Sequence, residues 1–226
     1  MSLRRALREN SLSIFFGLLF LGAVVGQAIA GHIAYNQDQI THGEPAISLA
    51  RYLTSSDFGQ AVMENWQSEY LQFMLFMLAT VWLVQRGSSE SKELEKPGLE
   101  SDQEQKIGRH ALRSSPKWAR TGGIRTTIYS NSLLILMTVI FLGSWFGQSV
   151  TGWTKFNEEQ RAHHESTVSW VGYIGEADFW QDTLQNWQSE FLAIGSFSVF
   201  VIFLRQRGSP ESKPVGMPHD ATGVES

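Results

Sequence analysis

The sequence contains no cysteine among its 226 residues. This absence excludes disulfide bonds, thiolate metal sites and cysteine nucleophiles. The formal net charge of −4 is small and says little about binding partners. The mean hydropathy of −0.14 is typical of a soluble protein. That average combines apolar segments with very polar connectors, so the distribution of residues along the chain is more informative than the mean.

Two long segments lack aspartate, glutamate, lysine and arginine altogether, at residues 12–35 and 130–154. Runs of this length without charge predict membrane-spanning helices. Two shorter apolar runs, at residues 70–84 and 191–204, end at arginine-containing segments. We therefore predict four transmembrane helices, at about 12–35, 65–85, 131–154 and 186–205.

Residues 10–92 and 131–213 are similar along their whole length at a constant offset of 121 positions. Asn65-Trp66-Gln67-Ser68-Glu69, for example, returns as Asn186-Trp187-Gln188-Ser189-Glu190. About two positions in five are identical over about 83 aligned residues, which indicates an internal duplication. We call these segments the first and second repeats.

Lysine and arginine are unevenly distributed among the connecting segments. They are concentrated before the first span, between the repeats and after the last span, whereas connectors 36–56 and 157–177 carry only Arg51 and Arg161. Cationic residues mark the cytoplasmic side of a membrane protein. We therefore predict a cytoplasmic charged linker at 93–130, and both termini in the cytoplasm. The tail at 214–226 is expected to be disordered.

Each repeat supplies two spans, so both repeats enter the membrane in the same orientation. The predicted fold is an all-α membrane protein, in which four transmembrane helices form two tandem helical hairpins with pseudo-twofold symmetry about the membrane normal. The N-terminus also resembles a secretory signal, with arginines before an apolar run and Ala28-Ile29-Ala30 as a cleavage site. The equivalent segment 131–151 lies mid-chain, so we expect the first span to be retained.

Polar side chains are expected inside the membrane in both repeats. The run 70–84 provides only about 22 Å of helix against about 30 Å of hydrocarbon, so the Asn-Trp-Gln-Ser-Glu segment is drawn into the outer leaflet. Carboxylates at that depth usually face a bundle interior and have a partner. One hypothesis is a polar cluster that handles a proton or a cation, in which glutamates titrate or coordinate and amides orient them. Its members are Glu69, Glu190, Asn65, Asn186, Gln27 and Gln148.

The alternative interpretation is structural. Trp66 and Trp187 would anchor the helices at the membrane interface, with the neighbouring polar residues at the level of the headgroups. Gln27 and Gln148 would then form interhelical hydrogen bonds that only hold the bundle together. The sequence leaves both interpretations open.

Small residues at a spacing of four predict close helix packing. These are Gly22 and Gly26 in the first repeat, and Gly143 and Gly147 in the second.

Helix ends are also predicted from local residue types. Residues 54–57 (Thr-Ser-Ser-Asp) and Asp178 suit helix N-caps. Gly87 and Gly208 suit helix C-caps.

Histidines raise the question of a metal or haem. His42 and His163 lie near glutamates in the two outer connectors and are weak candidates for a metal site, because they lack a metal-binding spacing. His32 is replaced by Trp153 in the second repeat, which argues against a haem ligand. No catalytic or nucleotide-binding motif is present. We therefore expect no cofactor and no enzymatic activity.

Two tandem copies with an Asn-Trp-Gln-Ser-Glu entry and an Arg-Gly-Ser exit, at 86–88 and 207–209, resemble an uncharacterised family of small bacterial four-span membrane proteins. The resemblance implies a multi-pass protein of the bacterial inner (plasma) membrane and no assigned activity. The expected function is binding or passing a proton, a cation or a small solute. The alternatives are a structural or partner-binding membrane module and, third, a membrane redox or enzyme subunit.

Expected partners are the lipid bilayer and either a second copy of the chain or an unidentified membrane protein. The basic residues of the linker are expected to determine topology or to contact anionic lipid, not to bind nucleic acid.

Overall fold

The computed structural model describes residues 3–223, and every regular element in that range is helical. This confirms the all-α part of the predicted fold. A single 3₁₀ turn occupies Gly108–His110. The α-helices in chain order are α1 Leu3–Glu9, α2 Ser11–Thr41, α3 Leu49–Tyr52, α4 Ser56–Trp82, α5 Lys117–Thr121, α6 Gly123–Ser130, α7 Ser132–Ala162, α8 Trp170–Ile174 and α9 Ala177–Phe203.

The long helices begin and end at equivalent positions of the two repeats. Helices α2 and α7 both have 31 residues, and helices α4 and α9 both have 27. Each bound of α7 and α9 lies 121 positions after the matching bound of α2 and α4. A short helix, α3 or α8, precedes the second long helix in each case.

Helices α2 and α7 are long and apolar enough to cross a membrane. Their most apolar windows have mean hydropathies of 2.2 and 1.8, and 31 residues of helix extend about 46 Å. Among residues 3–223 no other helix satisfies the same length and hydropathy criterion. The polar Asn-Trp-Gln-Ser-Glu segment lies within α4 and α9 and lowers their hydropathy. The predicted second and fourth spans stay predictions.

The chain divides into two compact units, and each takes residues from both repeats. The first unit comprises Met1–Val62 and Val150–Ser169. The second unit comprises Met63–Ser149 and Trp170–Ser226.

In the first unit an asparagine side chain connects each loop that follows α2 or α7 to the helix before it. Asn36 donates to the Ile47 carbonyl at 3.0 Å and accepts from the Ile47 N–H at 2.8 Å. Asn157 makes the same two hydrogen bonds with Val168, also at 3.0 and 2.8 Å. Each amide thus satisfies a backbone donor and a backbone acceptor that a loop would otherwise leave to water.

The helix ends differ in part from the prediction. Ser55 caps α4, because its hydroxyl accepts from the Phe58 N–H at 3.3 Å. Asp178 lies in the first turn of α9, after the N-cap residue Glu176, so its prediction as the N-cap is wrong.

The prediction that Gly87 and Gly208 are C-caps is also wrong. Helices α4 and α9 end at Trp82 and Phe203, several residues earlier. Each glycine instead occupies a tight turn with φ of 83° or 84°. The Ser88 N–H donates to the Gln85 carbonyl across the first of these turns. A positive φ in the third position of a turn favours glycine, which explains the residue type without a helix cap.

Candidate functional site

Three of the buried polar side chains in the second unit come from three different long helices. Gln67 of α4 and Thr183 of α9 are 0% exposed, and Gln148 of α7 is 1% exposed. A buried amide or hydroxyl is unfavourable unless it is hydrogen-bonded, so such residues are rare without a structural or functional reason. We call these three residues, together with Trp145 and Trp187, the buried amide cluster.

Gln67 is oriented by a tryptophan from the neighbouring helix. The Trp187 Nε1–H donates to the Gln67 Oε1 at 2.7 Å. An indole N–H can only donate, so the oxygen of the Gln67 amide must face it and the orientation of the amide is fixed. The Gln67 Nε2 then points elsewhere, and among the described residues it has no hydrogen-bond partner. The site therefore presents an open N–H donor in a buried position.

Gln148 and Thr183 form the other part of the cluster. The Gln148 Nε2 lies 3.4 Å from the Thr183 Oγ1, and the Trp145 Nε1 lies 3.5 Å from the same oxygen. The two parts meet through their tryptophans, because the rings of Trp145 and Trp187 are 5.6 Å apart. The cluster is thus continuous from Gln67 to Gln148 through aromatic contacts.

The predicted glutamates lie outside this buried set. Glu69 is exposed and Glu190 is half-buried. Both belong to the second unit, where the two carboxylates are close enough to interact electrostatically. The Gln72 Nε2 donates to the Glu190 backbone carbonyl at 3.3 Å, which connects α4 to α9 at this level. The most buried polar side chains of α4, α7 and α9 are therefore amides and hydroxyls, not carboxylates.

The remaining predicted cluster residues have different surroundings. Asn186 donates to the Asp182 carbonyl of its own helix at 2.8 Å, so one of its two amide N–H groups is used within α9. Asn65 is exposed on α4. Gln27 is half-buried and belongs to the first unit, whereas its equivalent Gln148 is buried in the second.

The two predicted interface anchors differ from each other. Trp66 is 39% exposed, in keeping with an anchor at a membrane surface. Trp187 is half-buried and hydrogen-bonds to Gln67. The sequence could not separate these two roles, because the pentad that contains them is identical in both repeats.

The four predicted packing glycines also differ. A Cβ atom placed on Gly147 would lie 2.8 Å from the Met63 Sδ, so this glycine permits a close contact between α7 and α4 in the second unit. At Gly22, Gly26 and Gly143 such an atom would meet no described residue within 4 Å. The glycine face of α2 is therefore open.

The two candidate metal-binding histidines are not brought into a cluster. His42 contacts the backbone carbonyl of Asp38 at 2.9 Å and is exposed, as is His163. Within residues 3–223 no group of three or more histidine, aspartate or glutamate side chains is arranged to hold a metal ion.

A charged group lies in the first unit where α4 begins. Lys155 is 3.9 Å from the Asp57 carboxylate, and the Ser56 hydroxyl donates to Glu158 at 2.8 Å. Burial raises the pKa of Asp57, and the neighbouring Glu158 carboxylate raises it further against the opposing effect of Lys155. The arrangement fixes the start of α4 and forms no enclosed site.

The sequence analysis missed a longer motif that ends each of the two repeats. The Arg-Gly-Ser segment is part of a recurring Gln-Arg-Gly-Ser-x-Glu-Ser-Lys sequence, at 85–92 and 206–213. In both places the serine hydroxyl before the lysine accepts from the glutamine N–H, at 2.8 and 2.9 Å. Comparing the repeats residue by residue would have found this motif.

The two motif lysines have different surroundings. Lys213 is 1% exposed and donates to the carbonyls of Gly87, Pro218, His219 and Ala221 at 2.6–3.2 Å. Burial is the main effect that lowers the pKa of Lys213. Lys92 is half-buried and pairs with Glu100 and the Gly98 carbonyl. Three of the carbonyls that Lys213 contacts belong to the tail, and the prediction that the tail is disordered stays a prediction.

The fold defines a class of all-helical proteins that have two helices able to cross a membrane. The chain belongs to a family described as a domain of unknown function, DUF6766, whose model matches residues 3–224. This confirms that the family is uncharacterised. Comparison with curated proteins gave no match. Comparison with solved structures gave none either.

Proposed function

We propose that this chain is a non-enzymatic, four-span protein of the bacterial inner membrane, built from two tandem repeats, with both termini in the cytoplasm. The recurrence of the helix bounds at a constant offset supports the duplication. The most apolar window of α2 is only 6% buried, which is not expected of the core helix of a soluble protein. A lipid environment accounts for such an exposed apolar helix.

We further propose that the buried amide cluster binds or passes a small polar solute. The observation that carries this proposal is the Gln67 Nε2, a fully buried donor of fixed orientation that has no hydrogen-bond partner within residues 3–223. A buried donor without a partner lowers the free energy of unfolding by about 1–3 kcal/mol. A hydrogen bond from Gln67 to the acceptor oxygen of a solute or a water molecule would offset that cost.

The geometry favours one ligand among the three that the sequence allows. A proton or a metal cation requires an acceptor atom, whereas the open atom of Gln67 is a donor. Glu69 and Glu190, the acceptors expected for a cation, are exposed and half-buried. A neutral solute that carries a carbonyl or hydroxyl oxygen matches the buried group better.

The test is solute uptake by proteoliposomes, measured by light scattering after osmotic shock with urea, acetamide and glycerol. Gln67→Met preserves side-chain size and removes the donor. We expect it to slow solute entry about tenfold, the equivalent of about 1.4 kcal/mol, which is close to one hydrogen bond. Gln188→Met is the matched control, because Gln188 is the equivalent residue in α9 and is exposed.

Equal uptake by wild type and Gln67→Met would overturn the solute proposal. Proton flux that falls in Glu69→Gln and Glu190→Gln, with solute uptake unchanged, would assign the function to the glutamates instead. Both results are obtained from the same vesicles.

The second candidate function is a partner-binding membrane module. The observation in its favour is the open face of α2, where Gly22 and Gly26 have no described residue against them. Small residues at this spacing allow two membrane helices to approach closely. Under this alternative, Gln67→Met would leave the assembly of the protein intact.

A further inference from the structure

A second feature of the second unit is a cleft of about 220 Å³ between α7, α8 and α9. It is smaller than the pockets of about 300–1,000 Å³ that hold drug-sized ligands, so it has room for a group of a few heavy atoms. Its surface is apolar, and most of its wall is aromatic. The rings belong to Trp145, Phe146, Trp170, Phe179 and Trp180.

The rings meet mostly at steep angles. Trp145 and Trp180 are 6.2 Å apart with an interplanar angle of 73°, and Trp180 meets Phe179 at 5.3 Å and 76°. Trp170 meets Phe146 at 5.9 Å and 71°. These edge-to-face contacts turn neighbouring rings toward different directions. Each ring face carries the negative end of a quadrupole.

The indole N–H groups of the cleft already have partners. Trp170 donates to the Ser149 hydroxyl at 3.1 Å, and Trp180 donates to the Ile174 carbonyl at 2.9 Å. The Trp145 Nε1 lies 3.5 Å from the Thr183 hydroxyl. A ligand in the cleft therefore meets aromatic rings and apolar atoms, and it needs no hydrogen-bond acceptor.

The tryptophans of the cleft are specific to the second repeat. The three equivalent positions of the first repeat carry no aromatic ring, being Val24, Leu49 and Gly59. Two of these three positions hold an aliphatic residue in the first repeat, Val24 and Leu49. Only the second repeat therefore has a tryptophan at these three positions.

We propose that this cleft binds a quaternary ammonium group, carried either by a free solute or by a choline lipid headgroup. Such a cation has no N–H to donate and is covered by methyl groups, so it matches a surface without polar atoms. It is attracted to tryptophan faces more strongly than to any aliphatic wall. The cleft shares Trp145 with the buried amide cluster, but Gln67 and its open donor are not among the residues that line it.

The test is a titration of the full-length protein, in micelles that contain no choline, followed by tryptophan fluorescence. Choline chloride and its neutral carbon analogue, 3,3-dimethyl-1-butanol, are compared. We expect choline to bind about tenfold more tightly than the neutral analogue, and Trp170→Leu to weaken choline binding about tenfold. Leucine suits this position because Leu49 begins α3 as Trp170 begins α8.

The matched control is Trp153→His, which removes a tryptophan outside the cleft and introduces the residue of the first repeat. It is expected to leave choline affinity unchanged. Equal affinity for choline and its neutral analogue would overturn the proposal. So would equal choline affinity in the Trp170→Leu and Trp153→His proteins, once thermal unfolding has shown both to be folded.

The source of the ammonium group is distinguished by repeating the titration in lipid nanodiscs. The comparison lipid is phosphatidylethanolamine, which is also zwitterionic but has no quaternary ammonium, and weaker choline binding in phosphatidylcholine than in this lipid identifies the choline headgroup as the competitor. Equal binding in both lipids identifies a free solute. Both outcomes support a quaternary ammonium site, and neither bears on solute uptake through Gln67.

Discussion

His32 and Trp153 occupy equivalent positions of the two repeats. Each places a ring nitrogen beside the equivalent carbonyl of the loop that follows its helix. The His32 Nε2 is 2.7 Å from the Ile47 carbonyl, and the Trp153 Nε1–H donates to the Val168 carbonyl at 2.8 Å. Tryptophan can only donate, and neutral His32 has the same role in the tautomer that carries its proton on Nε2. The difference between His32 and Trp153, which argues against a haem ligand, is thus explained by a hydrogen bond to the loop that both residues make.

This shared role predicts the effect of two substitutions. Trp153→His keeps an N–H donor and is expected to change the free energy of unfolding little. Trp153→Phe removes the donor and is expected to cost about 1–2 kcal/mol, because the Val168 carbonyl loses a hydrogen bond. Thermal unfolding in detergent measures both. Equal stability of the two variants would show that the donor is unimportant.

At the scale of single residues, equivalent positions in the two repeats do not have the same burial. Gln67 and Gln188 have the same neighbours in sequence, but one is fully buried and the other is exposed. Burial depends on which helix packs against a side chain, and identical pentads contain no information about that. The open donor of Gln67 could therefore not be predicted from the sequence.

At the scale of elements, the sequence predicts the helices better than their ends. The long apolar helices follow from uncharged runs, and the start of α4 follows from its capping residues. The ends were misplaced because Gly87 and Gly208 are signals for a positive φ, which turns and helix caps both use. The cleft was missed because its walls come from three helices separated in sequence.

The turn that follows α9 depends on Lys213. Replacement by methionine removes the ammonium group and leaves buried carbonyls without their donor. We expect Lys213→Met to lower the free energy of unfolding by about 2–4 kcal/mol. Lys92→Met is the matched control at the equivalent position, where partial exposure limits the expected loss to about 1 kcal/mol. Equal losses for the two variants would contradict the role assigned to burial.

At the scale of the whole molecule, the proposed four-span arrangement surrounds exposed apolar side chains with a membrane. Phe15, Phe16 and Leu18 of α2 are 56–65% exposed. A signal sequence would also be long and apolar, but α7 has the same length and lies mid-chain. In the proposed topology, the distribution of lysine and arginine puts connectors 36–56 and 157–177 on one side of the membrane and the linker on the other.

Single cysteines in this naturally cysteine-free chain test that arrangement most directly. Labelling of intact cells with a membrane-impermeant maleimide should modify His42→Cys and His163→Cys. Asp102→Cys should react only after permeabilisation, and Gln67→Cys should react in neither condition. Labelling of position 102 from outside, or of positions 42 and 163 from opposite sides, would contradict four spans with cytoplasmic termini. Labelling of position 67 at the rate of position 42 would contradict its burial in the bilayer.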